Sequence, residues 1–454
     1  MEVIKNMDLV IQNGLVIDPE THLQQKMNIG IKNGRIAQLS QEKLQGKQVI
    51  EATGLIVAPG FIDLHVHEDV LFPTEGEKIL PWETAKALLH TGVTTMVGGN
   101  CGFSAFPIKQ QLETVKQAYL PLNYYTLIGY ITLRYLFEID LYEQASAEQV
   151  SQLKFMVDGA LSQGALGVSF GLQYAPGIAT QEVIAISEVV KKHDKFIAVH
   201  LRYDYPQKAL LAVQEMIRVA ELTGVKIQIS HLAANVYGAD NLKQVLTLIE
   251  ACNQQRMDIK ADMYPYDAWA TSIKSAVFDE GVDNFNFTWR DIEILTGPYA
   301  EQRCTAELFS QLREQKEDTS VVCHQAIPSG DLELALCHPL VCLGSDGQIR
   351  KGNNGNLQGH PRSAGSPARL IGQYVREKKL LSLEEAISKL TLKPAERLNL
   401  PNKGRIQQGK DADIAIFDFA EIREQSCYGD NICALPACGI AYVLVGGEVA
   451  YQNG

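Results

Sequence analysis

Eight short apolar runs recur along the middle of the chain, separated by stretches with helical periodicity, and few folds accommodate that rhythm. The runs are GFIDLHVH (60–67), TTMVGGN (94–100), YYTLIGY (124–130), ALGVSFGL (165–172), FIAVHL (196–201), KIQISHL (226–232), DIKADMYPY (258–266) and PLVCLGSD (339–346). Intervening segments such as AEQVSQLKFMVDGALSQG (147–164) and NLKQVLTLIEACNQQ (241–255) space their apolar residues like a helix buried along one side. Eight β runs alternating with helices predict an α/β architecture, a closed (β/α)8 TIM barrel of parallel strands. The gap at about 267–338 breaks the rhythm. It follows the seventh run, on the face where barrels bind substrates, and predicts a lid or substrate-recognition insertion.

The 454 residues exceed one barrel, and both ends are β-rich. DLVIQNGLVIDP and MNIGIKNGRIAQL alternate apolar and polar residues around Asn13-Gly14 and Asn33-Gly34, each a favoured hairpin-turn sequence. GRIQQGKDADIAIFD and ACGIAYVLVGGEVAYQNG near the other end have the same character. Isolated hairpins are marginal, so the two ends are expected to pair as one small β-sandwich domain, 1–57 plus 403–454, beside a barrel domain of 58–402.

Lysine and arginine number 41 against 53 aspartates and glutamates, a net charge of −12 that repels phosphate backbones and argues against nucleic-acid binding. No apolar run is long enough for a membrane span, and charges in the opening MEVIKNMDLVIQNG argue against a signal peptide. Nine scattered cysteines without CxxC spacing read as reduced thiols, which points to a cytoplasmic chain. A chain of this size leaves a homo-oligomer open.

Barrel enzymes carry their chemistry at the C-terminal ends of the strands. His65 and His67 close the first run and, two residues apart, share one face of a strand. Cys101 follows the second run, His200 and His231 nearly end the fifth and sixth, and Asp346 ends the eighth. One such histidine alone is usually structural; six candidate ligands at strand ends predict a metal site. Imidazoles, a thiolate and a carboxylate suit zinc, as one tight ion or with a second weaker one. Zinc lowers the pKa of bound water from about 15.7 towards 7. Asp346 would then take the proton as general base and pass it to the leaving nitrogen as general acid. His22, His90, His193, His324, His338 and His360 lack this placement and read as structural, although His324 lies in the insertion and can face the site.

PGFIDLHVH, the His200, His231 and Asp346 strand ends and the split β domain resemble the amidohydrolase superfamily. Within it, GGNCGFS (98–104), QYAPG (173–177), ISHL (229–232), MYPY (263–266), CHPLVCLGSDG (337–347) and GHPR (359–362) resemble the N-acyl-D-amino acid deacylases, or D-aminoacylases. The resemblance implies that Cys101, His200 and His231 hold the tighter zinc. His65, His67 and Asp346 would line the second site, with Cys101 able to bridge. It further implies Tyr174 near the scissile carbonyl, Arg362 on the substrate α-carboxylate with Tyr264 assisting, and a small-molecule N-acyl amino acid as substrate. Ala233 stands where many relatives carry a carboxylate-binding lysine, and Arg202 is a candidate substitute. Two alternatives stay open: a cyclic-amide or acyl-dipeptide hydrolase using the same site, and a non-catalytic scaffold, which predicts missing ligands where all six are present.

Overall fold

The structure is a computed structural model that describes residues 7–67, 81–203, 205–238, 240–352 and 355–453. The first six residues, part of the opening that argues against a signal peptide, lie outside that set.

All eight apolar runs become barrel strands: Phe61–Asp63, Val93–Gly98, Asn123–Thr126 with Ile128–Gly129, Gly167–Gly171, Phe196–His200, Lys226–Ile229, Ile259–Met263 and Val341–Leu343. Neighbours pair in parallel, and nearly every strand residue is buried, as expected where helices cover one face of a sheet and the barrel fills the other. The ring closes between the first and eighth strands through a parallel bridge, Val66 to Gly347, flanked by main-chain bonds from Asp346 N–H to His65 (2.8 Å) and from His67 N–H to Gly347 (2.9 Å). The two helices anticipated most clearly form as Ala147–Ser162 and Asn241–Gln254, the first opened by a Ser146–Gln149 capping box.

The chain ends meet in one eight-stranded sheet. Ile414–Phe417 pairs antiparallel with Ile56–Pro59, joining the C-terminal strands to Met7–Asp18, Leu23–Lys32 and Arg35–Ser40. Residues from both ends, among them Ile11, Val16, Ile31, Ile414 and Leu444, share one buried cluster. Asn33-Gly34 makes the expected hairpin turn, both residues at positive φ (50° and 73°). Asn13-Gly14 does not. There Met7–Asp18 continues through a β-bulge, because Asn13 N–H donates to the Asn28 side chain and the strand edge switches from Gly46–Glu51 to Ile56–Pro59 at this point.

The excursion after the seventh strand forms an antiparallel sheet of Trp269–Ser272, Ser320–Cys323 and Ile292–Ile294, around Trp269, Phe278, Phe285 and Phe287. It ends earlier than the lost rhythm suggests, since Ser329–Cys337 packs on the eighth strand as an ordinary barrel helix. None of the nine cysteines is paired, and no described helix is long and apolar enough to cross a membrane.

Candidate metal centre and substrate cavity

The closure of the barrel delivers the first donors. At the end of the first strand, the Asp63 carboxylate accepts from the N–H groups of His65 (3.2 Å) and Ser345 (3.0 Å), tying the first and eighth strand ends together. Asp262 on the seventh strand takes His65 Nδ1 at 3.0 Å, which turns Nε2 inward to 3.4 Å from Cys101 Sγ and 3.3 Å from Asp346 Oδ1. The same Asp262 accepts from the His231 N–H (2.9 Å) and from Gln228 Nε2 (3.0 Å), so one buried carboxylate orients two imidazole-bearing segments.

Cys101 reaches the centre through a tight turn. Gly99 sits at φ 76°, where a Cβ would collide with the Leu127 carbonyl oxygen, and Cys101 itself is left-handed at φ 52°. The Asn100 amide fastens this turn by donating to the carbonyls of Leu64, Val66 and Val97. His231 (φ 35°) and Asp346 (φ 52°) are also left-handed. Half of the six donors therefore hold backbone conformations that cost energy for a side-chain-bearing residue, a pattern concentrated at functional sites.

The donor atoms fall into two groups, each drawn together within 4.8 Å: His65, His67, Cys101 and Asp346, and Cys101, His200 and His231. Cys101 belongs to both. His200 Nδ1 and His231 Nε2 face each other at 3.0 Å, while His231 Nδ1 is buried with no hydrogen-bond partner. Burial opposes ionisation of the Cys101 thiol, but His65, His200 and His231 outweigh it and hold the thiol well below its ordinary range. Burial likewise opposes the Asp346 carboxylate, and Arg362, His65 and His67 hold it well below the usual carboxylate range. A buried thiolate ringed by imidazoles and one carboxylate is a donor set that fits zinc, at one position or at two sharing the sulfur.

Two sequence models of the amidohydrolase family match this chain, over residues 56–226 and 321–451. The curated N-acyl-D-glutamate deacylase of Alcaligenes xylosoxydans xylosoxydans is 29% identical across 99% of this chain and 94% of its own length. The crystal structure of an N-acyl-D-glutamate deacylase from Bordetella bronchiseptica, complexed with zinc and a phosphonate inhibitor, superposes with a TM-score of 0.86 at 25% identity, covering 98% of this chain and 97% of that one. A crystal structure of D-aminoacylase gives 0.83 at 26% identity over the same shares. The chain is an amidohydrolase.

Beside the two donor groups of this amidohydrolase lies a cavity of about 430 Å³. His67, Cys101 and Asp346 form its floor, Gln348, Arg350, Gln358, His360 and Arg362 one wall, and the insertion, from Ala270 to Ala276, its roof. Arg362 is buried, gives Nη2 to Asp346 Oδ2 at 2.9 Å, and lays its guanidinium over the Tyr264 ring at 4.6 Å. Its Nε and Nη1 are buried and meet no hydrogen-bond partner among the described residues, two donors an anion could satisfy. Tyr174 packs against His200 with the rings tilted 38° and their centres 4.3 Å apart.

Arg202 is not brought to the cavity. Its fork is engaged by Glu215 (2.9 and 2.8 Å) and by the Ile178 carbonyl (2.8 Å), so it ties the helix Ala209–Thr223 to the loop after the fourth strand and has no fork left for a substrate carboxylate. Arg202→Ala should lower stability by about 2 kcal/mol, the worth of charged hydrogen bonds, and leave KM near the parent value. Chemical denaturation beside steady-state kinetics checks both halves. Ala233 is buried in the short helix Leu232–Asn235.

Three positions beside the donor groups and the cavity are given no site role by the sequence. Asp63 and Asp262 look like ordinary strand residues; only their proximity to the ligand motifs hints at a bracing role. His360, set aside as structural, lines the cavity with Nδ1 accepting the Arg362 N–H (3.0 Å) and Nε2 on the Tyr428 hydroxyl (3.1 Å). Five other histidines are tied elsewhere: His22 to Glu384, His193 to Asp158, His324 to Glu293, His338 to Glu250, and His90 against Tyr451.

Proposed function

We propose that the chain is a zinc-dependent deacylase of N-acyl-D-amino acids, releasing a carboxylic acid and a free D-amino acid. The observation that carries the reading is Cys101 shared between two donor groups beside a cavity in which the buried Arg362 keeps two unengaged N–H donors. The relatives act, by their names, on N-acyl-D-glutamate or as D-aminoacylases, and one was solved with zinc.

Cys101, His200 and His231 would hold the tighter ion, with His65, His67 and Asp346 around the second position. Zinc bound there supplies Lewis-acid polarisation of the amide carbonyl and activation of water. Arg362 grips the α-carboxylate and Tyr264 backs its guanidinium, which fixes the amide over the floor of the cavity. Tyr174 flanks the scissile carbonyl from the fourth-strand side. Asp346, kept ionised by Arg362, takes a proton from the attacking water and delivers it to the amide nitrogen as the C–N bond breaks.

Amine release by the zinc-loaded protein from matched N-acetyl-D- and N-acetyl-L-amino acids, with N-formyl derivatives and cyclic amides alongside, decides the matter. Release confined to D-configured linear amides is expected; turnover of hydantoins or dihydropyrimidines alone would replace this reading with a cyclic-amide hydrolase. Arg362→Ala should raise KM about 10- to 100-fold for substrates bearing the α-carboxylate, by loss of a charge-assisted bond, with a smaller effect on their carboxamide counterparts.

A further inference from the structure

We infer that the natural substrates carry a large apolar acyl group, an aliphatic chain of several carbons or an aryl ring, seated on a wall formed by Phe103, Tyr135, Leu141 and Tyr142. The inference deepens the deacylase reading and rests on it. The cavity has two chemically different sides. The loop after the eighth strand presents Gln348, Arg350, Gln358 and Arg362, all polar. The loop after the second strand and the helix and loop after the third present Phe103, Tyr135, Leu141 and Tyr142. In the ring of eight, the third strand stands three places from the strand that delivers Arg362, so the aromatic side lies well round the barrel mouth from the guanidinium.

An amide places its acyl substituent and its amine on opposite sides of the carbonyl carbon, in the extended trans arrangement. With the α-carboxylate on Arg362 and the carbonyl over the floor, the amino-acid half occupies the polar side. The acyl substituent then runs towards the third-strand loop. An acetyl methyl would touch little of that wall.

The wall is held ready rather than collapsed. The Tyr142 hydroxyl donates to Asp279 of the insertion at 2.5 Å, Arg313 holds the same carboxylate at 2.7 Å, and Gln173 donates to the Ala276 carbonyl at 3.2 Å, so roof and wall are pinned together. Yet Tyr135 is 42% and Tyr142 58% exposed, and Leu136 beside them 53%. A run of exposed large side chains on the rim of a cavity is the surface a soluble protein keeps for a ligand.

The test is a series of N-acyl derivatives of one D-amino acid, acetyl, butyryl, hexanoyl and phenylacetyl, assayed with the zinc-loaded full chain. Each buried methylene multiplies binding about fourfold, so kcat/KM should climb at least about tenfold from acetyl to hexanoyl. Tyr135→Ser and Leu141→Ala should each cut the hexanoyl-to-acetyl ratio about fivefold or more. General damage to the fold lowers both substrates together and leaves that ratio alone. Acetyl turnover with a flat or falling series overturns the acyl wall and spares the deacylase reading, as does a steep series that neither variant alters. Release from none of the N-acyl amino acids, D or L, overturns both.

Discussion

Asp346→Asn should lower kcat by about a thousandfold or more, the usual scale for loss of a general base that also returns its proton. An amide at this position keeps the volume, and its one carbonyl oxygen can still accept from Arg362, which now sits 2.9 Å from one carboxylate oxygen, while its NH2 faces His67, now 2.8 Å from the other. It cannot take a proton from water. Metal analysis after gel filtration is expected to find the tighter ion in place, because Cys101, His200 and His231 form a donor group without Asp346. Retention of more than a tenth of the parent turnover would remove Asp346 from the base role.

Cys101→Ser should be equally severe for a different reason. Cys101 Sγ is the one atom common to both donor groups, 3.4 Å from His65 Nε2 and 3.7 Å from His231 Nε2. A hydroxyl there does not ionise at neutral pH. Zinc affinity is expected to fall more than roughly 100-fold, beyond the loss that follows removal of an outer hydrogen-bond partner. Two measurements check it: zinc content after dialysis, and the thiolate-to-metal charge-transfer band of the cobalt-substituted protein, present in the parent and absent in the variant. Full zinc content with an unchanged cobalt spectrum would dismiss the sulfur as a ligand.

The barrel was legible because its strands are buried on both faces and so read as short apolar runs, five of them closed by a candidate ligand. His65 and His67 announce themselves by a spacing that strand geometry converts directly into convergence. Asn13-Gly14 shows where local reading fails. The dipeptide favours positive φ, and the chain uses that preference, but three flanking strands convert the turn into a bulge. Arg202 fails differently: whether a guanidinium faces a cavity or a glutamate on the next helix turn depends on side-chain partners that lie far apart in the chain, such as Ile178 and Glu215. Asp262 and His360 were hidden for the same reason, since their importance lies in whom they hold, and the held residues sit 31 and 197 positions away in the case of Asp262.

The seam that closes the barrel also sets an order of events during synthesis. Cys101, His200 and His231 have all been made by the time the sixth strand is complete, whereas His67 meets Asp346 across 279 residues of sequence. A nascent chain thus owns the three donors of one group long before the other group can form. The second group depends on the eighth strand docking against the first, through the same three main-chain contacts that shut the ring. Completion of the second donor group is therefore a report that the whole barrel has been translated and closed, and a polypeptide released early lacks that group.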